Sequence, residues 1–433
     1  MALAEQIFDM RANIFKEYAE KIARDKFLSN SFIFFIGGFL ASVGNYFFHF
    51  LMVRLLSVES YGELQSLLAA SVIFSIPISA LLVVLVRYSA HFRAKGETGK
   101  IYSLFSLFTK RILFGVLIFS FVFVALSGYI ASFLKLSSFW PVVILGASFL
   151  PMFLATINRG IIQGLEKFAS VSIVSIIETF SKILFGFLLV RIGWALNGAL
   201  GAIVLSCLVG YLVAFLPLRF LFSCENKKSA IETKEMFRYF FPAFFALLFL
   251  NLFYNLDIIL VKHFLPAFAA GQYGAMALIG HIIFFIVGPL ASVMFPMTAA
   301  AHANQSNPSK ILKKTIILTT LLGSAILLFY FLTPGFIIEI LVGKKFLPIG
   351  NLLGWFGLAM FAYSLIMIFS QYFLSTRQTK CFYLLGMGIF LQTILMLIWH
   401  QNLGQIVWAM NITMFATLIS LLIFYFKTNK RYA

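Results

Sequence analysis

The sequence predicts an all-α membrane protein of twelve transmembrane helices, arranged in two six-helix lobes. Of its 433 residues, 61% are hydrophobic and only 11% are charged, and the mean hydropathy is +0.98. Globular domains contain about 45–50% apolar and about 25% charged residues, so this composition excludes a soluble fold. The apolar runs are continuous and about 20 residues long, which fits helical spans and exceeds the alternating strands of a membrane barrel.

Twelve such runs follow one another along the chain. The predicted spans are residues 31–53, 64–86, 112–133, 140–158, 169–190, 195–217, 240–262, 273–300, 315–334, 349–374, 382–399 and 406–426.

The segments outside the spans divide the chain. Residues 1–30 have apolar residues at helical spacing, which predicts either an amphipathic helix on the membrane surface or a solvated helical tail. They lack the apolar core of a signal peptide. The longest polar interruption, 222–239, links an N-lobe (31–221) to a C-lobe (240–433) that ends in a short basic tail.

The net charge of +18 is explained by topology. Most lysines and arginines fall in the loops on the side that carries both termini. The positive-inside rule therefore predicts a multi-pass cell-membrane protein with both termini in the cytoplasm, and it disfavours nucleic-acid binding. Lys182 lies within a span, and the basic residues on the opposite side are Arg54, Lys135, Arg191, Lys262, Lys344 and Lys345.

The two halves resemble each other. A shift of 208 residues places YFFHFLMVR (46–54) on YNLDIILVK (254–262), and one further residue pairs Gly62 with Gly271. Because each half has an even number of helices, the repeats are parallel and related by a pseudo-two-fold axis along the membrane normal. Pro77 and Pro289 fall at similar depths, so we expect breaks in helices 2 and 8 and a central cleft lined by helices 1, 2, 7 and 8.

Asp257 is an acid within an apolar span, and such residues are functional hypotheses by default. It is either a cleft residue that couples transport to H⁺ or Na⁺ or contacts the substrate, or an interfacial carboxylate paired with Lys262 or the backbone. His49 falls at the matching position of the first half. It is either a packing residue or a proton-exchange partner that faces Asp257 across the cleft.

Other polar residues also have two interpretations. Glu178 and Lys182 are four apart, so they neutralise each other on one helix face or serve the substrate. Arg159 either anchors helix 4 at the cytoplasm or captures an anionic headgroup through its planar guanidinium. Arg54 and Lys262 either snorkel to the interface or assist substrate release. His281, Asn45 and Asn255 are further candidates for the cleft.

Four segments carry a resemblance to a known family. They are DIILVKHFLPAFAAGQYGAM (257–276), RLLSVESYGELQSLLA (54–69), RGIIQGLEKF (159–168) and LVGKKFLPIG (341–350). In order and spacing they resemble the polysaccharide-biosynthesis, Wzx-like flippase branch of the multidrug/oligosaccharidyl-lipid/polysaccharide exporter superfamily. The resemblance implies a MATE-like fold of two lobes, alternating access, and outward movement of polyprenyl-linked sugars.

The leading hypothesis is therefore a flippase that moves a polyprenyl-diphosphate-linked oligosaccharide from the cytoplasmic to the outer leaflet for cell-surface polysaccharide assembly. Its expected partners are the lipid-linked sugar, membrane lipids and polysaccharide-assembly enzymes. The alternative is a multidrug cation antiporter in which Asp257 binds the cation and Glu178 the drug; a non-transporting scaffold is a third class. The sequence has no His-Glu-x-x-His, Walker or Cys-x-x-Cys motif, so we expect no enzyme activity, metal or cofactor. Without an ATP-binding segment, the energy comes from an ion gradient, which is the leading expectation, or from the substrate's own concentration difference.

Overall fold

The computed structural model describes residues 26–223, 233–376, 378 and 380–428, and in this part of the chain it contains helices and no strands. The predicted amphipathic helix falls mainly on residues 1–25, which lie outside the described residues, as does most of the predicted linker, at 224–232. Residues 233–239 of that linker instead form the first turns of the seventh spanning helix.

The N-lobe begins with a long helix and continues through the sixth span. Its helices are α1 (Lys26–Leu55), α2 (Val58–Phe74), α3 (Ile76–Ala94), α4 (Thr98–Ala125), α5 (Ser127–Phe133), α6 (Trp140–Gly164), α7 (Phe168–Leu189), α8 (Ala195–Ala214) and α9 (Phe220–Ser223), with a π-helical segment at Val190–Trp194 and a 3₁₀ turn at Leu216–Leu218.

The C-lobe has the corresponding order. Its helices are α10 (Thr233–Phe264), α11 (Ala267–Ala303), α12 (Ser309–Leu332), α13 (Pro334–Leu341), α14 (Gly350–Ser375), α15 (Cys381–Ile398) and α16 (Leu403–Thr428), with a 3₁₀ segment at Lys344–Ile349. The short helices α5 and α13 end at Phe133 and Leu341, positions that are also 208 residues apart.

Twelve membrane crossings result, as the sequence predicts. Eleven described stretches are long and apolar enough to span a membrane, and one of them, 168–218, contains both α7 and α8. Gly193 separates these two helices with φ of 100°, a left-handed conformation that favours glycine. α7 and α8 then pack against each other, so the chain reverses direction between them.

The two prolines behave differently. Helix 2 is broken as predicted, because α2 ends at Phe74 and α3 begins at Ile76, with Pro77 in its first turn. The predicted break at Pro289 is wrong, since α11 continues through it to Ala303. A proline removes only one backbone hydrogen bond. α2 and α14 pack on α11 and hold it helical.

The lobes meet through the helices that the repeat singles out. α2 packs against α10 and α11, and α3 packs against α10. Within the N-lobe α7 packs on α1 and α8, while within the C-lobe α14 packs on α11 and α16. The contacts between the lobes are therefore made mainly by α2 and α3 of the N-lobe and by α10 and α11 of the C-lobe.

Candidate functional site

A cavity of about 350 Å³ lies between the lobes, bounded by α1, α2, α10 and α11. Tyr46 and Tyr254, which the 208-residue shift superimposes, both line it, so the cavity lies at the pseudo-two-fold axis. The residues that line it are Ser42, Asn45, Tyr46, His49, Gln65, Leu68, Ala69, Val72, Tyr254, Asn255, Ile258, Ala277, Leu278, His281 and Phe285.

One cation approaches this cavity from the N-lobe. The Lys182 ammonium donates a hydrogen bond to Asn45 Oδ1, and Nζ lies 5.0 Å from the centre of the Phe48 ring. Asn45 is fixed in turn by donating from Nδ2 to the carbonyl of Ala41, at 2.9 Å. Lys182 thus places positive charge one hydrogen bond away from the cavity, and it forms no ion pair among the described residues.

The predicted pairing of Glu178 with Lys182 is wrong. The Glu178 carboxylate instead forms an ion pair with Arg159 of α6. Glycine at position 210 makes room for this arrangement, because a Cβ there would lie 2.5 Å from Glu178 Oε2. Glu178 therefore points towards α6 and α8 rather than along its own helix, and Arg159 is neutralised where headgroup capture would need it free.

Two histidines line the cavity from opposite lobes, His49 on α1 and His281 on α11. His49 Nδ1 and His281 Nε2 have no hydrogen-bond partner among the described residues. The Tyr254 ring stands edge-on to the His281 imidazole at 5.4 Å between centroids. The imidazoles are thus positioned by packing, and each leaves a ring nitrogen unpaired.

Asp257 lies inside the C-lobe rather than on the cleft. Its exposed fraction is 0%, and Oδ2 accepts a hydrogen bond of 2.6 Å from the hydroxyl of Tyr273. The same hydroxyl lies 2.8 Å from the sulfur of Met410. At about 100° per residue, the step from the cavity-lining Ile258 turns Asp257 away from the cavity. The predictions that Asp257 lines the cleft, faces His49 across it or pairs with Lys262 are wrong.

The interior of the C-lobe contains several buried oxygen atoms without a hydrogen-bond partner among the described residues. Asp257 Oδ1 has no partner among the described residues, and neither do Gln392 Oε1, Thr413 Oγ1 and Thr417 Oγ1. Gln392 donates to the carbonyl of Phe253, one turn before Asp257, at 3.3 Å. Among the described residues no group of three or more His, Cys, Asp and Glu side chains could hold a metal ion. A proton, or a cation that prefers neutral oxygens, fits this chemistry better than a transition metal.

At the end of the bundle remote from the termini, the two lobes are tied together. We call the contacts between the lobes at this end, made by residues 54–63, 135–137, 262–271 and 340–345, the distal seal. Lys262 is 1% exposed, with Nζ 3.9 Å from Glu63 Oε1 on the opposite lobe. Glu63 also accepts hydrogen bonds from the backbone N–H and hydroxyl of Ser137, at 3.0 and 3.1 Å. Snorkelling of Lys262 to the interface is therefore wrong. Arg54, which is exposed, donates to the carbonyl of Ile340 across the lobes.

Backbone contact completes the distal seal. A Cβ on Gly62 would lie 2.6 Å from the nitrogen of Gly271, and a Cβ on Gly271 would lie 2.0 Å from the carbonyl oxygen of Val58. α2 and α11 therefore meet at a distance that only glycine permits. The glycines matched by the internal repeat thus contact each other across the lobe interface.

Sequence reasoning missed several of these residues. Glu63 is an acid in an apolar helix, so the rule that singled out Asp257 also applied to it. The repeat pairs Tyr46 with Tyr254 and so could have placed both at the axis. Tyr273 and Gln392 carry no charge, and only the packing of α11 and α15 near α10 reveals their position.

Twelve helices in two lobes, with a cavity between them, define a multi-pass helical membrane protein. The chain belongs to the polysaccharide biosynthesis protein family, whose model matches residues 27–302. No curated protein sequence matches it.

Solved structures share the fold at low identity. An inward-facing multidrug resistance MATE family transporter of the MOP superfamily is 12% identical, covers 91% of this chain and 96% of its own, and gives a TM-score of 0.72. The lipid II flippase MurJ in an inward closed conformation is 16% identical. The match covers 92% of this chain and 88% of the MurJ chain, with a TM-score of 0.72. A MOP superfamily transporter from Pyrococcus furiosus, described as having a binding pocket of reverse polarity, is 13% identical. The match covers 91% of this chain and 93% of that chain, with a TM-score of 0.61.

Proposed function

We propose that this protein flips a polyprenyl-diphosphate-linked oligosaccharide from the cytoplasmic to the outer leaflet of the cell membrane. The observation that carries the proposal is the Lys182 ammonium, which is held by an amide rather than a carboxylate beside a polar cavity. A cation without a counter-ion in a membrane interior is costly, and an anionic substrate relieves that cost.

The lining of the cavity argues against the multidrug cation antiporter. Such a protein needs a carboxylate that faces the cavity and holds an organic cation. Asp257 is enclosed in the C-lobe, and the Glu178 carboxylate is neutralised by Arg159. The charge that is hydrogen-bonded to the cavity wall is the positive Lys182, which favours an anionic diphosphate.

Transport requires the cavity to open to each side in turn, and the distal seal supplies one of the two barriers. With both termini in the cytoplasm, the seal faces outwards and holds the substrate until the lobes separate. H⁺ or Na⁺ bound at Asp257 would neutralise its buried carboxylate and stabilise one arrangement of the lobes. An ion drives the switch only through such differential affinity. Delivery of the flipped lipid to polysaccharide-assembly enzymes belongs to the same proposal.

Reconstitution into proteoliposomes tests the proposal. A fluorescent short-chain polyprenyl-diphosphate oligosaccharide should become accessible to an impermeant quencher faster with the protein than without it. Lys182→Gln should slow this by about tenfold, because it removes one charge-assisted interaction, while Lys182→Arg should retain part of the rate. The control is Lys310→Gln, which alters an exposed lysine far from the cavity.

Two outcomes would reject the proposal. If the wild-type protein leaves the lipid in its original leaflet but exports ethidium in exchange for H⁺ or Na⁺, the antiporter is correct. If Lys182→Gln flips the lipid as fast as wild type, the cation beside the cavity does not serve the substrate.

A further inference from the structure

We infer that the cavity between the lobes is a subsite for an uncharged sugar, held between His49 of one lobe and His281 of the other. The inference rests on the proposed function and adds to it which part of the substrate the cavity binds. The diphosphate is assigned to Lys182 next to the cavity, and the sugar attached to it is assigned to the cavity itself.

The first argument is the chemistry of the lining. The polar side chains that line the cavity are amides, imidazoles and hydroxyls, and the described lining residues include no Asp, Glu, Lys or Arg. A sugar hydroxyl both donates and accepts hydrogen bonds. Neutral imidazole and carboxamide groups likewise offer one donor and one acceptor face, so they match hydroxyls and offer no counter-ion to a carboxylate.

The second argument is the set of unpaired polar atoms. His49 Nδ1, His281 Nε2 and the hydroxyl of Tyr46 are buried and have no partner among the described residues. Buried polar groups are nearly always hydrogen-bonded, and those that are not need an explanation. The three side chains line the cavity from both lobes, so a ligand in the cavity that carries several hydroxyl groups lies beside all of them.

The third argument is the aromatic lining. The rings of Tyr46 and Phe285 meet at 4.9 Å and 89° on one side of the cavity, and Tyr254 packs against His281 on another. The C–H faces of a pyranose ring are apolar and pack on aromatic rings, while its hydroxyl groups project towards polar side chains. Apolar walls with a few fixed polar groups are typical of small-molecule sites.

The fourth argument is size and position. The volume of about 350 Å³ lies near the lower end of small-molecule sites, which span about 300–1,000 Å³. It accommodates a short stretch of sugar and excludes a long glycan together with its lipid. Because Lys182 binds Asn45 of the cavity wall, the sugar in the cavity is the one next to the diphosphate.

Equilibrium binding to the purified full-length protein in nanodiscs tests the inference. The three probes are radiolabelled geranyl diphosphate, its glucosyl derivative and its glucuronyl derivative, and the last two differ only in a hydroxymethyl group against a carboxylate. Wild type should bind the glucosyl probe at least tenfold more tightly than geranyl diphosphate. It should also bind the glucosyl probe more tightly than the glucuronyl probe.

The variants separate sugar recognition from folding. His49→Ala and His281→Ala should each weaken the glucosyl probe by about tenfold, the effect of one lost hydrogen bond, and leave geranyl diphosphate unchanged. His281→Gln, which keeps a polar side chain, should restore part of the loss. Lys182→Gln should weaken the binding of all three probes by the same factor. His91→Ala, at an exposed histidine on α3, is the matched control and should change none.

Three results would overturn the inference while leaving the flippase intact. They are equal affinity of wild type for geranyl diphosphate and the glucosyl probe, tighter binding of the glucuronyl probe, and histidine variants that weaken all probes equally. If wild type binds none of the three probes, the proposed function itself fails, and this inference fails with it.

Discussion

Asp257 and Lys182 are charged residues in apolar helices, and their surroundings differ in kind. Lys182 lies beside a polar cavity and binds a neutral amide. Asp257 is sealed in the C-lobe, with one donor, the Tyr273 hydroxyl, and one unpaired oxygen. Placing an ionised side chain in a bilayer costs about 2.5–3.5 kcal/mol on insertion scales. Under the proposed function, Lys182 would recover this cost from an anionic substrate, and Asp257 would recover it from a proton or Na⁺.

Asp257→Asn should fold normally and abolish coupling. The amide has the shape of the carboxyl group but is neutral in every state, so ion binding no longer distinguishes the lobe arrangements. In proteoliposomes we expect the transport rate to become independent of imposed pH and Na⁺ gradients, while downhill exchange of substrate persists. Glu339→Gln, at an exposed acid on α13 that pairs with Lys344, is the control and should leave gradient dependence intact.

Normal acceleration of Asp257→Asn by both gradients would show that Asp257 is structural. Coupling would then have to be sought at another titratable group, such as His281 or the Arg159–Glu178 pair.

For single residues, the sequence identifies the charged side chains that are candidates for the site, but it does not identify the side chains with which they pair. A charge in an apolar run is visible without a structure, so Asp257, Glu178 and Lys182 were all found. Their partners come from other helices. Arg159 reaches Glu178 because position 210 has no side chain, and Tyr273 reaches Asp257 from α11. Spacing along one helix favoured the Glu178–Lys182 pair, and packing between helices overrode it.

Among the elements, α2 and α11 illustrate what hydrophobic patterning can and cannot predict. Run length predicts both helices, and the internal repeat aligns Gly62 with Gly271. The repeat does not show that these glycines touch, since this depends on how the lobes close. Proline position likewise predicts the break before α3 but not the continuity of α11, because the surrounding helices decide whether a freed carbonyl is tolerated.

Gly271→Ala should open the distal seal. The new Cβ would lie 2.0 Å from the Val58 carbonyl oxygen, so α2 and α11 cannot remain at their present distance. The reporter is Ala69→Cys in the cavity wall, with Cys207, Cys224 and Cys381 replaced by alanine. Its reaction with an impermeant thiol reagent added outside should rise by about tenfold, which corresponds to about 1.4 kcal/mol.

The matched control is Gly288→Ala on the same helix, where an added Cβ meets nothing within 4 Å. Its labelling should equal that of the parent, the Ala69→Cys reporter protein with no change at either glycine. The seal would not be the outer barrier if Gly271→Ala folds and labels like the parent, or if both variants label equally.

The molecule consists of two lobes with the same order of helices, and the distal seal shows this internal symmetry most directly. Lys135 follows α5 and donates to the carbonyl of Phe264 at 3.4 Å, whereas Lys345 follows α13 and donates to the carbonyl of Leu56 at 2.5 Å. Leu56 and Phe264 are 208 residues apart. Positive φ occurs at Lys135 itself and at Gly343, two residues before Lys345, and these two positions are again 208 apart. Each lobe therefore extends one lysine to the equivalent carbonyl of the other.

This reciprocity predicts how the seal opens. If the lobes separate as rigid bodies, both bridges break in the same event, and each contributes to one equilibrium between closed and open forms. Lys135→Met and Lys345→Met should each raise outside labelling of the Ala69→Cys reporter by roughly two- to tenfold, the net effect of one hydrogen bond. The Lys345 variant should have the larger effect, because its hydrogen bond is shorter.

The double variant distinguishes one seal from two local contacts. The lysines lie on opposite lobes and share no partner, so their free-energy effects should add and the labelling factors should multiply. Lys344→Met is the control, because its side chain is 78% exposed and pairs with Glu339 of its own lobe. If either single variant labels like the parent, or if the double variant labels no faster than the stronger single one, the two bridges do not belong to one lobe-closing equilibrium. The symmetry would then describe the ancestry of the fold without describing how it moves.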